Sequence, residues 1–116
     1  MSGADIRSRF LASRGNLKRQ VVNVPDLGEV TVQELTAAAR ASIEELMFRD
    51  KVNAGQWKLA LVVRSVVDAE TGVPVFADED IKGLGELPAR TIDPLFRAAF
   101  KLSGMGEDGV EEAQGN

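Results

Sequence analysis

The residues of this chain that come nearest to a chemical pattern are the carboxylates Asp68, Glu70, Asp78, Glu79 and Asp80. Acid-rich turns of this kind coordinate calcium. Counting an EF-hand loop from Asp68 places Glu70 third and Glu79 at the closing twelfth position. The sixth position must be glycine for the sharp turn, and here it is Val73; the fifth is Gly72, which has no side-chain ligand. The stretch therefore reads as a polar turn over residues 68 to 72, followed by a solvated helix start at Asp78 to Asp80. Carboxylates there favour the positive end of the helix dipole.

The remaining catalytic repertoire is small. The chain contains no Cys and no His, which removes thiolate nucleophiles, disulfides, thiol or imidazole metal sites and the usual general base. Carboxylate or lysine chemistry would need paired groups held in a pocket. The carboxylates here fall mainly at turns, helix starts and the C-terminal tail. No enzymatic activity, cofactor or metal is expected.

With 116 residues, 44% hydrophobic and 28% charged, the chain has the length and composition of one soluble globular domain. Charged or polar residues interrupt every apolar run well short of the ~18 residues of a membrane-spanning helix, and no apolar signal region follows the N-terminus. A cytoplasmic protein without a membrane partner is expected.

Charge is unevenly placed. Residues 1 to 20 carry Arg7, Arg9, Arg14, Lys18 and Arg19 against Asp5, whereas residues 105 to 116 carry Glu107, Asp108, Glu111 and Glu112 with no base. A basic arm can serve nucleic acid. The net charge of −4, one Trp and no Tyr make a phosphate-tracking or stacking surface a poor expectation. Residues 1 to 17 read as a basic arm or short helix that frays unless docked; the alternative is a helix that orders on a partner through Phe10 and Leu11. Residues 105 to 116 are rich in Gly and acid with little to bury, and read as a disordered tail.

Between these ends, residues 18 to 104 read as a single globular domain. Val22 and Val24, then Val30 and Val32, alternate around Pro25-Asp26-Leu27-Gly28, which predicts a β-hairpin. Two strands alone are marginal in water, so the hairpin must lean on a helix or another edge. A helix follows from near Thr36, although Thr31 and Glu34 also match a capping box. Leu35, Ala39, Ile43, Leu46 and Met47 keep helical spacing as far as the breaker Asn53-Ala54-Gly55. Its Met47-Phe48 end is read as core, with a partner surface as the alternative.

From Trp57 to Val67 the chain is apolar on nearly every side, so period does not decide between helix and strand. Leu59-Ala60-Leu61 favours helix and the valines at 62, 63, 66 and 67 favour strand. A short helix carrying Ile81, Leu84 and Leu87 is weakened by Gly83 and Gly85. The last helix starts near Pro88 or Pro94, shows Ile92, Leu95, Phe96, Ala99 and Phe100 at i, i+3, i+4, i+7 and i+8, and stops at Ser103-Gly104. The expected fold is α+β and mainly α-helical: an N-terminal β-hairpin packed on a small bundle of three to four helices.

The order of these parts resembles the tail assembly chaperones of long-tailed bacteriophages. The resemblance rests on the hairpin Val21 to Val32, the Glu34-Leu35-Thr36 helix start, the run Leu61 to Val67, the segment Asp68 to Phe76 with Asp78-Glu79-Asp80-Ile81, and Leu95 to Gly104. It covers roughly residues 18 to 104 and is one of order and spacing. It implies that the segment Trp57 to Val67 is helical, and the segment is read as a central helix that becomes extended near Val66. It also implies a non-enzymatic protein of the bacterial cytoplasm, absent from the mature virion, that binds the tape measure protein and helps recruit tail tube subunits. Many such chaperones are also made in a frameshifted longer form.

On this reading the candidate partner contacts are Phe10, Leu11, Met47, Phe48, Phe76 and Met105. Nucleic acid is not an expected partner, and homo-oligomerisation is left open. Two alternatives from other classes stand beside it. One is a structural head-tail or tail completion protein, which would persist in purified particles. The other is a small nucleic-acid-binding regulator, whose binding would fall steeply with salt.

Overall fold

The computed structural model describes residues 1–49 and 55–105. The expected disordered tail lies outside the described residues apart from Met105, as does the helix end between Asp50 and Ala54. Among the described residues the elements run α1 (Gly3–Ala12), β1 (Arg19–Val24), β2 (Gly28–Gln33), α2 (Ala37–Arg49), α3 (Gln56–Ser65), β3 (Val66–Val67), a 3-10 turn (Asp78–Asp80), α4 (Ile81–Gly85) and α5 (Ala89–Leu102). The fold is α+β and mainly helical, as the residue pattern predicts.

The hairpin forms because its alternation gives one apolar face. Val22 pairs with Val30 and Gln20 with Val32, and Val22, Val24 and Val32 are buried. The turn is one residue shorter than the sequence implies. The Leu27 amide donates to the Val24 carbonyl at 3.0 Å, Pro25 takes the second turn position, and Asp26 takes the third with φ +71°. That is the type II arrangement, in which Pro presets one angle and Asx tolerates the left-handed one. Gly28 then begins β2.

Two strands would be marginal alone, and a third completes them. After α3, Val66 and Val67 become extended and pair with Val32 and Thr31 of β2, giving the order β1-β2-β3. The chain then turns through Asp68–Gly72. The Asp68 carboxylate accepts from the amides of Glu70 and Thr71, each at 2.9 Å, and Gly72 has φ +73°. A Cβ at Gly72 would stand 2.8 Å from Nη2 of Arg19, whose Nη1 donates to the Ala69 carbonyl at 3.3 Å. The turn is thus hydrogen-bonded inside and braced from β1.

These bonds hold the Asp68 carboxyl below its ordinary value of 3.8, the Thr71 amide contributing most and the Glu70 amide next. A depressed carboxyl pKa stabilises the fold above the unfolded-state value, and that contribution is lost as pH falls through the folded value. A carboxyl-carbon NMR titration is therefore expected to place the Asp68 midpoint below 3.8. An Asp68→Ala variant should lose less stability on acidification than the parent.

The helices have separate reasons for their limits. Thr36, not Thr31, starts α2: its Oγ1 accepts from the Ala39 amide at 3.2 Å, while Thr31 lies within β2. Pro88 precedes the first residue of α5 with ψ 140°, and Pro94 sits inside that helix, where it contributes no N–H to the ladder. The Ala77 amide donates to Oδ2 of Asp80 at 2.8 Å, anchoring the entry to the 3-10 turn and α4.

α3 is the centre of the molecule. Ala60, Leu61, Val62 and Val63 are all buried in it, against Ile43 of α2, Leu84 of α4, and Ile92, Leu95, Ala98 and Ala99 of α5. A helix buried on successive positions has no polar stripe, which is why its period in the sequence is uninformative. α1 buries none of its residues.

Candidate functional site

The six candidate contacts do not converge on one place. Phe10 and Leu11 lie on α1, with Phe10 74% exposed. Phe76 packs partly buried against the core beside α4. Met47, Phe48 and Met105 come together, and with Arg40, Glu44 and Gly104 they line an open groove of about 400 Å³.

The groove is built by two helix ends. On α2, Ile43 is fully buried and anchors the helix. Met47, four residues on, is half-exposed, and Phe48 turns outward with 82% of its surface in solvent. The reading of Met47-Phe48 as core is therefore corrected: both side chains are exposed, Phe48 the more so. Apolar character promised burial, but a position one step beyond the buried stripe faces away from the bundle, because successive helical residues lie about 100° apart.

The other wall comes from the end of α5. Gly104 adopts φ +70°, the Gly104 amide donates to the Lys101 carbonyl and the Met105 amide to the Phe100 carbonyl, each at 3.1 Å. This pair of bonds is a Schellman cap, the usual reason for glycine just past a helix. It delivers Met105 against the core beside α2.

Ser103 and Arg40 tie the end of α5 to the start of α2. Ser103 Oγ accepts from the Leu35 amide at 3.0 Å, and Nη1 of Arg40 donates to the Ser103 carbonyl at 3.0 Å while its Nε donates to Glu44 at 2.9 Å. Gly104→Ala is expected to cost about 1–2 kcal/mol from the left-handed backbone. The added Cβ would also stand 3.4 Å from Nη1 of Arg40. Thermal unfolding reads the first effect, and a shift of the Met105 methyl resonance reads displacement of the groove wall.

Chemically, this arrangement can bury apolar surface and do little else. A thioether pair and an aromatic ring form an adaptable contact, and the Arg40–Glu44 ion pair marks its rim. Among the described residues, no group of three or more His, Cys, Asp or Glu is placed to hold a metal ion, and no helix is long and apolar enough to cross a membrane.

A second groove, of about 640 Å³, lies between the outer edge of β1 and α5 and includes Lys18, Val21, Pro94, Arg97, Ala98 and Lys101. Reading the sequence element by element missed it. Its one signal there is the i, i+4 spacing of Arg97 and Lys101, which does not reveal that β1 lies alongside.

No protein-family model matches the chain, and no curated protein sequence is similar to it. Its fold is similar to the solved structure of the bacteriophage HK97 tail assembly chaperone, with a TM-score of 0.66 at 16% sequence identity. The likeness covers 87% of this chain and 95% of that one. The fold implied by the order of hairpin, helices and acidic turn is thus the fold observed.

Proposed function

We propose that this chain is a bacteriophage tail assembly chaperone: it binds the tape measure protein, keeps it soluble and helps recruit tail tube subunits around it. It acts without catalysis in the cytoplasm of the bacterial host and is left behind when the virion matures. The observation that carries this reading is the shared fold with the HK97 tail assembly chaperone over nearly the whole of both chains.

The surface supports a holding mechanism. Phe10, Leu11, Met47 and Phe48 are exposed, and burying one such side chain is worth about 1.5–3 kcal/mol. A tape measure protein presents long apolar stripes before the tube encloses it, and exposed patches beyond a few hundred Å² drive aggregation. Many copies along one strand convert weak contacts into avidity. The carboxylates of Glu107, Asp108, Glu111 and Glu112 equal in number the chain's net charge of −4, and serve to keep coated complexes mutually repelling.

Co-expression with the tape measure protein of the same phage tests the reading. The partner should be soluble with this chain and aggregated without it, and the complex should survive from about 50 to about 300 mM salt, because apolar contacts are screened far less than surface charges. Phe48→Ser should weaken the complex while leaving the fold intact. Equal aggregation with and without the chain would end the proposal, and recovery of the chain from purified virions would favour a structural tail component instead.

A further inference from the structure

We propose that the open edge of β1 is a strand-addition site for an extended partner segment in which acidic and apolar side chains alternate. The inference rests on the groove between β1 and α5 and not on the chaperone reading, so either can fail without the other.

The sheet has one closed and one open edge. Beyond β3 the chain folds back, so that Val67 bridges Pro74 and the Val75 amide donates to the Val66 carbonyl at 3.2 Å. β1 stands at the other end of the order β1-β2-β3 and, among the described residues, has no neighbouring strand on its outer side.

The register states which groups are left over. Glu34 donates its amide to the Lys18 carbonyl at 2.9 Å, and Lys18 opposite Glu34 continues the pairing of Arg19 with Gln33 and Gln20 with Val32. Antiparallel pairs alternate between bonded and non-bonded. The bonded positions of β1 are therefore the even ones, and Arg19, Val21 and Asn23 turn their N–H and C=O groups to the open side. Such a row templates another strand, and sheet edges are commonly protected for that reason.

The walls specify the occupant. α5 offers Pro94 and Ala98 on one row and Arg97 and Lys101 on the next, and Lys18 closes the end near the helix terminus. No carboxylate lines this groove among the described residues. Val21, 59% exposed, projects from the opposite face of the sheet to the buried Val22 and Val24. A strand laid along β1 alternates its side chains between these two faces. Acidic groups directed towards α5 meet Arg97 and Lys101, and apolar groups on the other face cover Val21. Main-chain bonds supply the affinity of this mode and the alternate side chains its specificity.

The test uses the full chain, 15N-labelled, and a hexapeptide of alternating glutamate and valine. Saturable binding should slow hydrogen exchange at the Val21 and Asn23 amides. Arg97→Glu and Lys101→Glu should each weaken binding about fivefold, the scale of one exposed ion pair, with unchanged circular dichroism. A peptide N-methylated at alternate residues on its β1-facing edge should not bind.

Equal binding of that N-methylated peptide would exclude strand addition, and equal binding of an alternating lysine-valine peptide would exclude charge selection. Val21 and Asn23 amides already protected in the free chain would show the edge occupied by this protein itself: by a second copy if protection rises with concentration, by its own tail if it does not. Either result overturns the proposal.

Discussion

Leu61→Ala should lower the unfolding free energy by about 2–5 kcal/mol. Leu61 is fully buried in α3, the helix against which α2, α4 and α5 all pack. Truncation there removes transfer free energy and leaves a cavity that neighbours on three sides must relax to fill. Against a typical total of about 5–15 kcal/mol, the loss is a large fraction of stability. Urea unfolding should show a lower midpoint with an unchanged slope, which marks lost stability without a change in the surface exposed. Leu61→Met, which nearly conserves volume, should cost less than about 1.5 kcal/mol. Phe48→Ala, at a solvent-facing position, should stay within about 0.5 kcal/mol. A small effect at Leu61 together with a large one at Phe48 would invert the assignment of core and surface.

The second large effect belongs to the aromatic trio. Trp57 meets Phe96 edge-on at 5.5 Å between centroids and 69° between planes, and Phe100 lies 6.2 Å from Trp57 and 5.4 Å from Phe96. Lys58 places its Nζ 5.4 Å from the Phe96 ring. Phe96→Ala should cost about 3 kcal/mol, the low end of the range for buried aromatics, because the ring is only partly buried. Edge-to-face geometry adds about 0.5–1.5 kcal/mol beyond area. A double-mutant cycle of Trp57→Ala and Phe96→Ala should therefore show positive coupling of that size, and strict additivity would mean that the rings do not interact. Since these residues join the start of α3 to the middle of α5, near-parental melting of Phe96→Ala would make their shared face a binding surface and not core.

Local chemistry announced the hairpin, the Thr36 cap, the glycine stop at Gly104 and the stripe of α5, because each is written in a few neighbouring residues. Valines alternating about a Pro-Asp turn have few other low-energy arrangements, and an apolar stripe at helical spacing has one face to bury. The same locality explains the errors. Turn length depends on how Asp26 and Gly28 share the reversal, and burial of Phe48 depends on which rotation α2 takes once Ile43 has been seated.

The sequence by itself determined an α+β, mainly helical fold, a chain without Cys or His, and a basic bias in residues 1 to 20 against an acidic one in residues 105 to 116. Composition and short-range pattern suffice for that, since they act through propensity and charge without long-range contacts. Only the tertiary structure decided that the extended Val66-Val67 pairs as a third strand, because the free edge of β2 is distant in sequence and becomes its neighbour only in the fold. Only it brought Met105 to Met47 and Phe48, through a cap at one helix end and the Arg40–Ser103 bond across 63 residues of sequence. It alone aligned Lys18, Arg97 and Lys101 along the unpaired edge of β1, since residues that distant become neighbours only when burial of Val22, Val24 and Leu95 packs the sheet onto α5.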